Sequence, residues 1–166
     1  MKEKAKYYIQ KLQLNKHPEG GYYKEIYRAG EMFFIDAPKK NLKRNVSTSI
    51  YFLLDGTQVS KFHRLKSDEL WHFYDGTAVK IYCIDANCRL TEIFLGKKTE
   101  KGELFQAVIK KNTWFAAEVV NKKSFALVGC TVSPGFNFSD FELAERKILT
   151  KQFPGLRDLI FKFTNP

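Results

Sequence analysis

Residues 61–76 have the sequence KFHRLKSDELWHFYDG, which is two short apolar segments joined by a polar turn. Strand side chains alternate between two faces, so His63 shares a face with Lys61, and Glu69 shares a face with Trp71. If both faces line one cavity, His63 and Glu69 meet inside it. An ionisable pair in a partly dry site is what proton transfer or metal ligation requires. We therefore expect this stretch to form the wall of a ligand pocket.

The same pattern of short strands and turns continues on both sides of this stretch. Between Val46 and Val132, apolar segments alternate with turns rich in Gly, Asp and Asn, and the spacing leaves no room for helical crossovers. The chain also contains 15 Phe and 8 Tyr, and aromatic residues favour strands. These features predict an all-β sandwich, barrel or jelly roll.

The two ends of the chain have helical patterns. Apolar residues recur at helical spacing up to Leu12, and Ser139 followed by Glu142 has the spacing of a capping box. Residues 39–45 are expected to form a basic loop. The predicted single domain over 1–166 therefore consists of a helix over 1–14, a β-roll over 22–132, and a C-terminal helix with a tail over 139–166.

The net charge and the cysteine count indicate which kinds of binding partner and metal site to expect. The formal net charge is +10, but lysine doublets such as Lys97-Lys98 and Lys122-Lys123 are scattered over predicted turns, so solvated loops are expected rather than a nucleic-acid surface. Three cysteines without a CxxC pair argue against a disulfide framework or a zinc knuckle. The sequence shows no signal peptide and no membrane-length apolar run, so we expect a cytoplasmic protein that binds neither nucleic acid nor membrane.

Several sequence blocks resemble a known family. Gly56, His63, Glu69 and Gly76 match the first motif of the cupin superfamily. A more specific likeness to the Cupin_5 family rests on six blocks: HPEGGYY (17–23), SIYFLL (49–54), FHR (62–64), DELWHFY (68–74), GCTVSPGF (129–136) and DFELA (140–144). This resemblance implies a double-stranded β-helix, known as the cupin jelly roll, a homodimer, and a likeness to sugar epimerases.

The chain departs from the metal-binding cupin pattern at two positions. Lys61 stands at the first ligand position, and Phe115 stands where the third histidine is expected. A metal ion, if one binds, would be held by His63 and Glu69. The interpretation we prefer is a metal-free cluster without a cofactor, in which the Lys61 ammonium group replaces the missing cation and keeps Glu69 ionised.

The register of the first motif leaves a choice. Strict spacing from Gly56 would place Phe62 and Arg64 at the ligand positions. We expect His63 to face inward instead, because the flanking turns can absorb one residue, whereas an arginine inside a small barrel would require a buried partner.

Neighbouring strands supply further candidates. We expect an acid or a hydroxyl contact from Tyr51 and Ser49, and additional pocket residues at Glu118 and Cys130. Three aromatic side chains are candidates to stack on a sugar or nucleotide ring, with a place in the core as the alternative: Trp71, Phe73 and Trp114.

Three functions follow from this reasoning. The first is an isomerase or epimerase that acts on a sugar or a similar small polar metabolite, in which His63 removes a proton next to a carbonyl, Lys61 stabilises the enolate oxygen and Tyr51 returns a proton. The second is a cupin that binds or senses a metabolite without turnover. The third, a metal-dependent dioxygenase, is disfavoured by Lys61 and Phe115.

Overall fold

Two antiparallel sheets form the framework of the computed structural model, which describes residues 2–35 and 42–166. The strands are β1 (Asn15–Lys16), β2 (Tyr22–Arg28), β3 (Met32–Ile35), β4 (Leu42–Asn45), β5 (Thr48–Asp55), β6 (Val59–Leu65), β7 (Asp68–Gly76), β8 (Val79–Ile84), β9 (Leu90–Leu95), β10 (Gln106–Ile109), β11 (Trp114–Val119), β12 (Phe125–Ser133) and β13 (Phe141–Leu143). The helices are α1 (Lys2–Lys11), α2 (Arg146–Gln152) and α3 (Arg157–Lys162).

The two sheets enclose the main apolar core. One sheet has the order β1-β2-β5-β12-β7-β10, the other has the order β13-β6-β11-β8-β9, and β3 pairs with β4 as a separate hairpin. Inward side chains such as Phe52, Trp71, Ile81 and Phe115 pack between the sheets and are almost completely buried. Alternation of side chains along each strand therefore places one apolar face of each sheet in the core.

The helices cover the outer faces of the sheets. Ala5 of α1 packs with Leu53 and Leu127 on the outside of the six-stranded sheet. Leu149 of α2 and Ile160 of α3 pack on the outside of the five-stranded sheet. None of the helices formed by the described residues has the length and apolar character needed to span a bilayer.

The predicted all-β fold with a short N-terminal helix and a C-terminal helical segment is confirmed. Two local predictions are corrected. The C-terminal helix α2 begins at Arg146 rather than near Ser139, because Phe141–Leu143 pairs with β6 as strand β13. The basic loop expected over 39–45 lies partly outside the described residues, and its last four residues form β4, which pairs with β3.

Candidate functional site

A cavity of about 500 Å³ opens between the two sheets. One part of its lining is polar and consists of His17, Glu19, His63, Glu69 and Cys130. The rest is mainly apolar and aromatic. Small-molecule sites in proteins typically have this size and this combination of an apolar wall with a few polar groups.

A tight turn between β1 and β2 brings Glu19 into the cavity. Gly20 and Gly21 have φ angles of +115° and +73°, and a Cβ atom on Gly20 would lie 2.1 Å from the Val59 carbonyl oxygen. Only glycine allows this conformation and this close approach to β6. The Glu19 carbonyl oxygen then accepts a hydrogen bond of 2.9 Å from the Lys61 backbone N–H, which joins the turn to the edge of the sheet.

Both carboxylate oxygens of Glu19 have partners. Ser60 Oγ donates to Glu19 Oε1 at 2.8 Å. The other oxygen, Oε2, lies 3.1 Å from His63 Nε2 and 3.3 Å from His17 Nδ1. Burial alone would raise the pKa of Glu19, but the two imidazoles and the Ser60 hydroxyl outweigh burial and lower it. Glu19 is therefore a buried, ionised carboxylate between two histidines.

A β-bulge in β6 decides which side chains reach this cluster. Phe115 pairs with His63, but Ala117 pairs with Ser60, so two residues of β6 between these pairs oppose one residue of β11. Ser60 and His63 consequently face the same side, and Lys61 is displaced from the cavity lining. The prediction that the Lys61 ammonium group lies beside His63 and Glu69 is therefore wrong, because the bulge interrupts the strand alternation on which it rested.

His63 is held at both ring nitrogens. Its Nδ1 lies 2.7 Å from the Lys61 carbonyl oxygen, which only accepts hydrogen bonds, so Nδ1 carries a proton. The contact of 3.1 Å from Nε2 to Glu19 also requires a proton, which the imidazole and the carboxylate share. His63 is 2% exposed, and the centroid of its ring lies 4.0 Å from the centroid of the Phe115 ring. His63 thus faces inward as predicted; burial lowers its pKa, and the neighbouring charge of Glu19 opposes that shift without outweighing it.

Glu69 has the opposite electrostatic character. Burial and the nearby charge of Glu19 raise its pKa to about 8. Among the described residues, no hydrogen-bond partner reaches its Oε2 atom. Glu69 is therefore protonated at neutral pH, and the prediction that it is ionised is wrong because the expected lysine is displaced. The neighbouring Cys130 thiol lines the cavity as predicted, and burial and Glu69 raise its pKa, so it stays neutral.

His17, like Glu19, is a functional candidate that the sequence pattern did not identify. The residue lines the cavity, and its ring makes edge-to-face contacts with Tyr23, Phe52 and Phe141. The ring centroids of these pairs are 4.6 to 6.0 Å apart. The Glu19 backbone N–H points at His17 Nδ1 over 3.4 Å, and the Glu19 carboxylate lies 3.3 Å from the same atom, so the two contacts require different tautomers of the ring. We assign the Nδ1 proton to the shorter, charge-assisted contact. The Nε2 atom then has a free lone pair and no partner among residues 2–35 and 42–166.

The sequence contained one signal for His17 and Glu19. They occur in the HPEGG block, where a proline and two glycines surround the acid and the histidine. Such a turn indicates a close backbone approach rather than an ordinary surface loop.

Four other predicted residues lie outside the cavity. Tyr51 and Ser49 point to the outer face of β5, where Tyr51 packs near α1 and Ser49 Oγ contacts Thr131 Oγ1 at 3.3 Å. The residues of β5 that line the cavity are their neighbours of opposite parity, such as Ile50. Trp114 and Glu118 lie on the outer face of β11, where they contact Arg64 and the Lys162 ammonium group, respectively.

The remaining predicted aromatic residues belong to the core. Trp71 is 1% exposed and packs against Phe52 and Phe115 between the sheets. Phe73 packs against the same core and is partly buried. Neither side chain lines the cavity, so the core alternative describes their positions.

The donor set does not fit a resident transition-metal ion. Both ring nitrogens of His63 are engaged, and Phe115 occupies the position paired with His63 where a third histidine would be needed. Within the described part of the chain, no three His, Cys, Asp or Glu side chains converge to hold a metal. Tight transition-metal sites use three or four such ligands.

Known proteins resemble this chain over most of its length. The solved structure of protein SO0799 from Shewanella oneidensis is 38% identical, with a TM-score of 0.89 and 98% of each chain covered. A hypothetical protein from Leishmania major is 30% identical, with a TM-score of 0.87 and coverage of 98% of this chain and 99% of that chain. The uncharacterized protein YML079W of Saccharomyces cerevisiae is 27% identical over 143 residues, which are 80% of this chain and 71% of the yeast protein.

The family comparison agrees with the fold. The Cupin_5 family, described as "Cupin superfamily (DUF985)", matches residues 6–144. This range includes all the polar residues of the cavity described above. The chain therefore belongs to the Cupin_5 family of the cupin superfamily.

Proposed function

We propose that this protein is an isomerase or epimerase that moves a proton at a carbon next to a carbonyl group. The observation that carries the proposal is the pair of carboxyl groups near one cavity with opposite protonation states: Glu19 is ionised, and Glu69 is protonated. Environments that separate the pKa values of two neighbouring acids are a recurrent feature of acid–base catalysis.

In this proposal His17 is the general base. Its Nδ1–H donates to Glu19, which orients the ring and leaves the Nε2 lone pair to accept a proton from the substrate carbon. Glu19 also stabilises the imidazolium ion that this transfer produces. His63, which the sequence favoured as the base, has no free ring nitrogen, because one nitrogen contacts the Lys61 carbonyl oxygen and the other contacts Glu19.

Glu69 is the general acid. Its proton can be donated to the carbonyl oxygen as negative charge develops there; the His17 imidazolium then returns its proton to carbon, and the Glu69 carboxylate takes a proton back from an enediol hydroxyl. In this proposal Glu69 takes the roles first considered for Lys61 and Tyr51, since neither of those residues is part of the cavity lining. A cavity of about 500 Å³ suits a single metabolite the size of a monosaccharide.

Hydrogen exchange between substrate and solvent tests the proposal. Ketoses, aldoses and their phosphates are incubated with the protein in D₂O, and loss of the proton next to the carbonyl is followed by NMR. Glu69→Gln and His17→Gln should each lower the exchange rate by about 100-fold or more. The matched control is His72→Gln, because His72 lies on β7 next to Trp71 but does not line the cavity. Exchange that survives in both cavity variants would contradict the assignment.

A metabolite-binding cupin without turnover is the second candidate. It is favoured by the fact that Ser60, His17 and His63 already satisfy Glu19 without any ligand. A compound that binds the folded state raises the melting temperature by mass action. A compound from the same panel that stabilises the protein but exchanges no hydrogen would support binding alone and contradict the isomerase.

A further inference from the structure

Arg28 lies at the lining of the cavity with its guanidinium group held by a carboxylate of this same chain. Arg28 Nε donates to Glu25 Oε1 at 2.9 Å, and Nη2 donates to Glu25 Oε2 at 2.6 Å. Both side chains line the cavity. A β-bulge between Glu25 and Tyr27 produces this arrangement, because residues three apart on a regular strand would face opposite sides.

The guanidinium position does not depend on Glu25 alone. Arg28 Nη1 donates to Asn45 Oδ1 at 2.8 Å and to the Phe136 carbonyl oxygen at 3.2 Å. Asn45 is fixed in turn, since its Nδ2 donates to the Ala29 carbonyl oxygen at 2.7 Å. The Nη1 end of the guanidinium group is therefore oriented by neutral acceptors even if the carboxylate leaves.

Another anion could take the place of the Glu25 carboxylate at the Arg28 guanidinium group. The Arg28 and Glu25 side chains are each 38% exposed, and ion pairs with this degree of exposure contribute about 1 kcal/mol or less. A ligand carboxylate or phosphate can make the same two parallel hydrogen bonds, for which the planar guanidinium is well matched. Exchanging one anion for another at this position therefore costs little.

The surroundings of Arg28 favour a ligand that also contains a ring. Phe136, Phe138 and Phe141 line the cavity and contact one another edge-to-face, with ring centroids 5.0 to 6.4 Å apart. Such rings pack against flat apolar surfaces. The net charge of +10 also attracts anions to the protein as a whole.

We propose that Arg28 binds the carboxylate or phosphate of a small ring-bearing anion, and that Glu25 occupies this subsite until the ligand arrives. The inference names a substrate class for the cavity and so rests on the proposed function. Binding of the anion is nevertheless measurable without turnover, and a failure of either proposal can be recognised separately.

Isothermal titration calorimetry with matched probes tests the subsite. The pairs are benzoate with neutral benzamide, phenyl phosphate with phenol, and glucose 6-phosphate with glucose. In the wild type, at least one anion should bind about tenfold more tightly than its neutral partner. Arg28→Gln should remove that preference, and Glu25→Gln should strengthen anion binding by about three- to tenfold because the fork is vacated.

The control is Arg89→Gln, which removes an equivalent positive charge from an exposed arginine that pairs with Asp85 outside the cavity. It should leave the preference for the anion unchanged. The proposed anion subsite would be contradicted if each anion bound as tightly as its neutral partner. It would also be contradicted if Glu25→Gln left the affinity for the anion unchanged, or if no variant bound any anion. If His17→Gln loses hydrogen exchange but still binds the anion, the result supports the anion subsite independently of the proposed reaction. Thermal melts confirm that each variant is folded.

Discussion

Glu69 carries its proton at neutral pH because the fold buries its carboxyl group near the charge of Glu19. The residue is 7% exposed, and within the described chain no donor reaches Oε2 to stabilise the ionised form. A carboxyl group that remains protonated near pH 7 can donate a hydrogen bond or a proton, which an ordinary surface glutamate cannot do. The proposed acid therefore depends on burial rather than on a particular hydrogen-bond partner.

The raised pKa of Glu69 predicts a stability that depends on pH. Its folded-state pKa of about 8 exceeds the ordinary value of 4.5, so its favourable contribution is complete below about pH 4.5 and is lost as the pH rises to about 8. Glu69→Gln stays neutral and should be more stable than the wild type at about pH 8, by on the order of 2–5 kcal/mol, but similar to it at about pH 4.5. Urea unfolding at both pH values measures this, and equal stability differences at the two values would contradict it.

The same titration sets the upper pH limit of the proposed reaction. Glu69 must be protonated to act as the acid, so the exchange rate should fall about tenfold per pH unit above about pH 8. The decline is measured by repeating the NMR exchange assay over a pH series with the most reactive compound of the panel. A rate that stays constant to about pH 10 would show that the protonated carboxyl group is not required.

Sequence reasoning located some site residues and missed others for identifiable reasons. Strand alternation led to the expectation that His63 and Glu69 meet in one cavity, and both residues line it. Strand alternation also predicted that Lys61 shares a face with His63. This prediction failed, because the extra residue of the β6 bulge interrupts the alternation between the two faces. Sequence reasoning also missed His17 and Glu19, because their position depends on how a turn packs against a distant strand.

At the scale of elements, the outer face of β11 is tied to the C-terminal helices by Glu118. Lys122 Nζ donates to Glu118 Oε2 at 2.6 Å, and Lys162 Nζ of α3 donates to Oε1 at 2.7 Å. Tyr82 Oη of β8 donates to Oε1 at 2.8 Å. Burial raises the pKa of Glu118, but these donors outweigh it and lower the pKa to about 2. Glu118, which was expected to contact a ligand, thus links strand β11 to helix α3.

Removing this charge should destabilise the protein in a pH-dependent way. The depressed pKa of Glu118 provides stability above about pH 4.5, which is lost as the pH falls towards about 2. Because both lysines are about half exposed, we discount the full effect and expect Glu118→Gln to cost about 1–2 kcal/mol near pH 7.

Thermal or urea unfolding measures this cost, and Glu92→Gln is the matched control. Glu92 pairs with Lys80 at 2.9 Å on the more exposed strand β9, and its loss should cost about 0.5 kcal/mol or less. The same cost for both variants would show that burial and the three donors do not strengthen the Glu118 link.

At the scale of the whole molecule, the jelly roll brings distant parts of the chain to one cavity. His17 and Glu19 come from the turn before β2, His63 from the five-stranded sheet, and Glu69 from the six-stranded sheet. The fold class could be predicted because strand periodicity and turn residues repeat along the sequence. The charge relation between Glu19 and Glu69 could not, because it arises only when the two sheets pack and exclude water.

The most direct test of the account is a ¹³C NMR titration of the glutamate carboxyl groups, with Glu69→Gln used to assign the Glu69 signal. We expect this signal to titrate with an apparent pKa of about 8 and Glu19 to remain ionised throughout the neutral range. Glu19→Gln should lower the Glu69 pKa, because it removes the neighbouring negative charge. A Glu69 signal that titrates near 4.5 in the folded wild type would contradict the assignment of Glu69 as a neutral acid beside an ionised carboxylate.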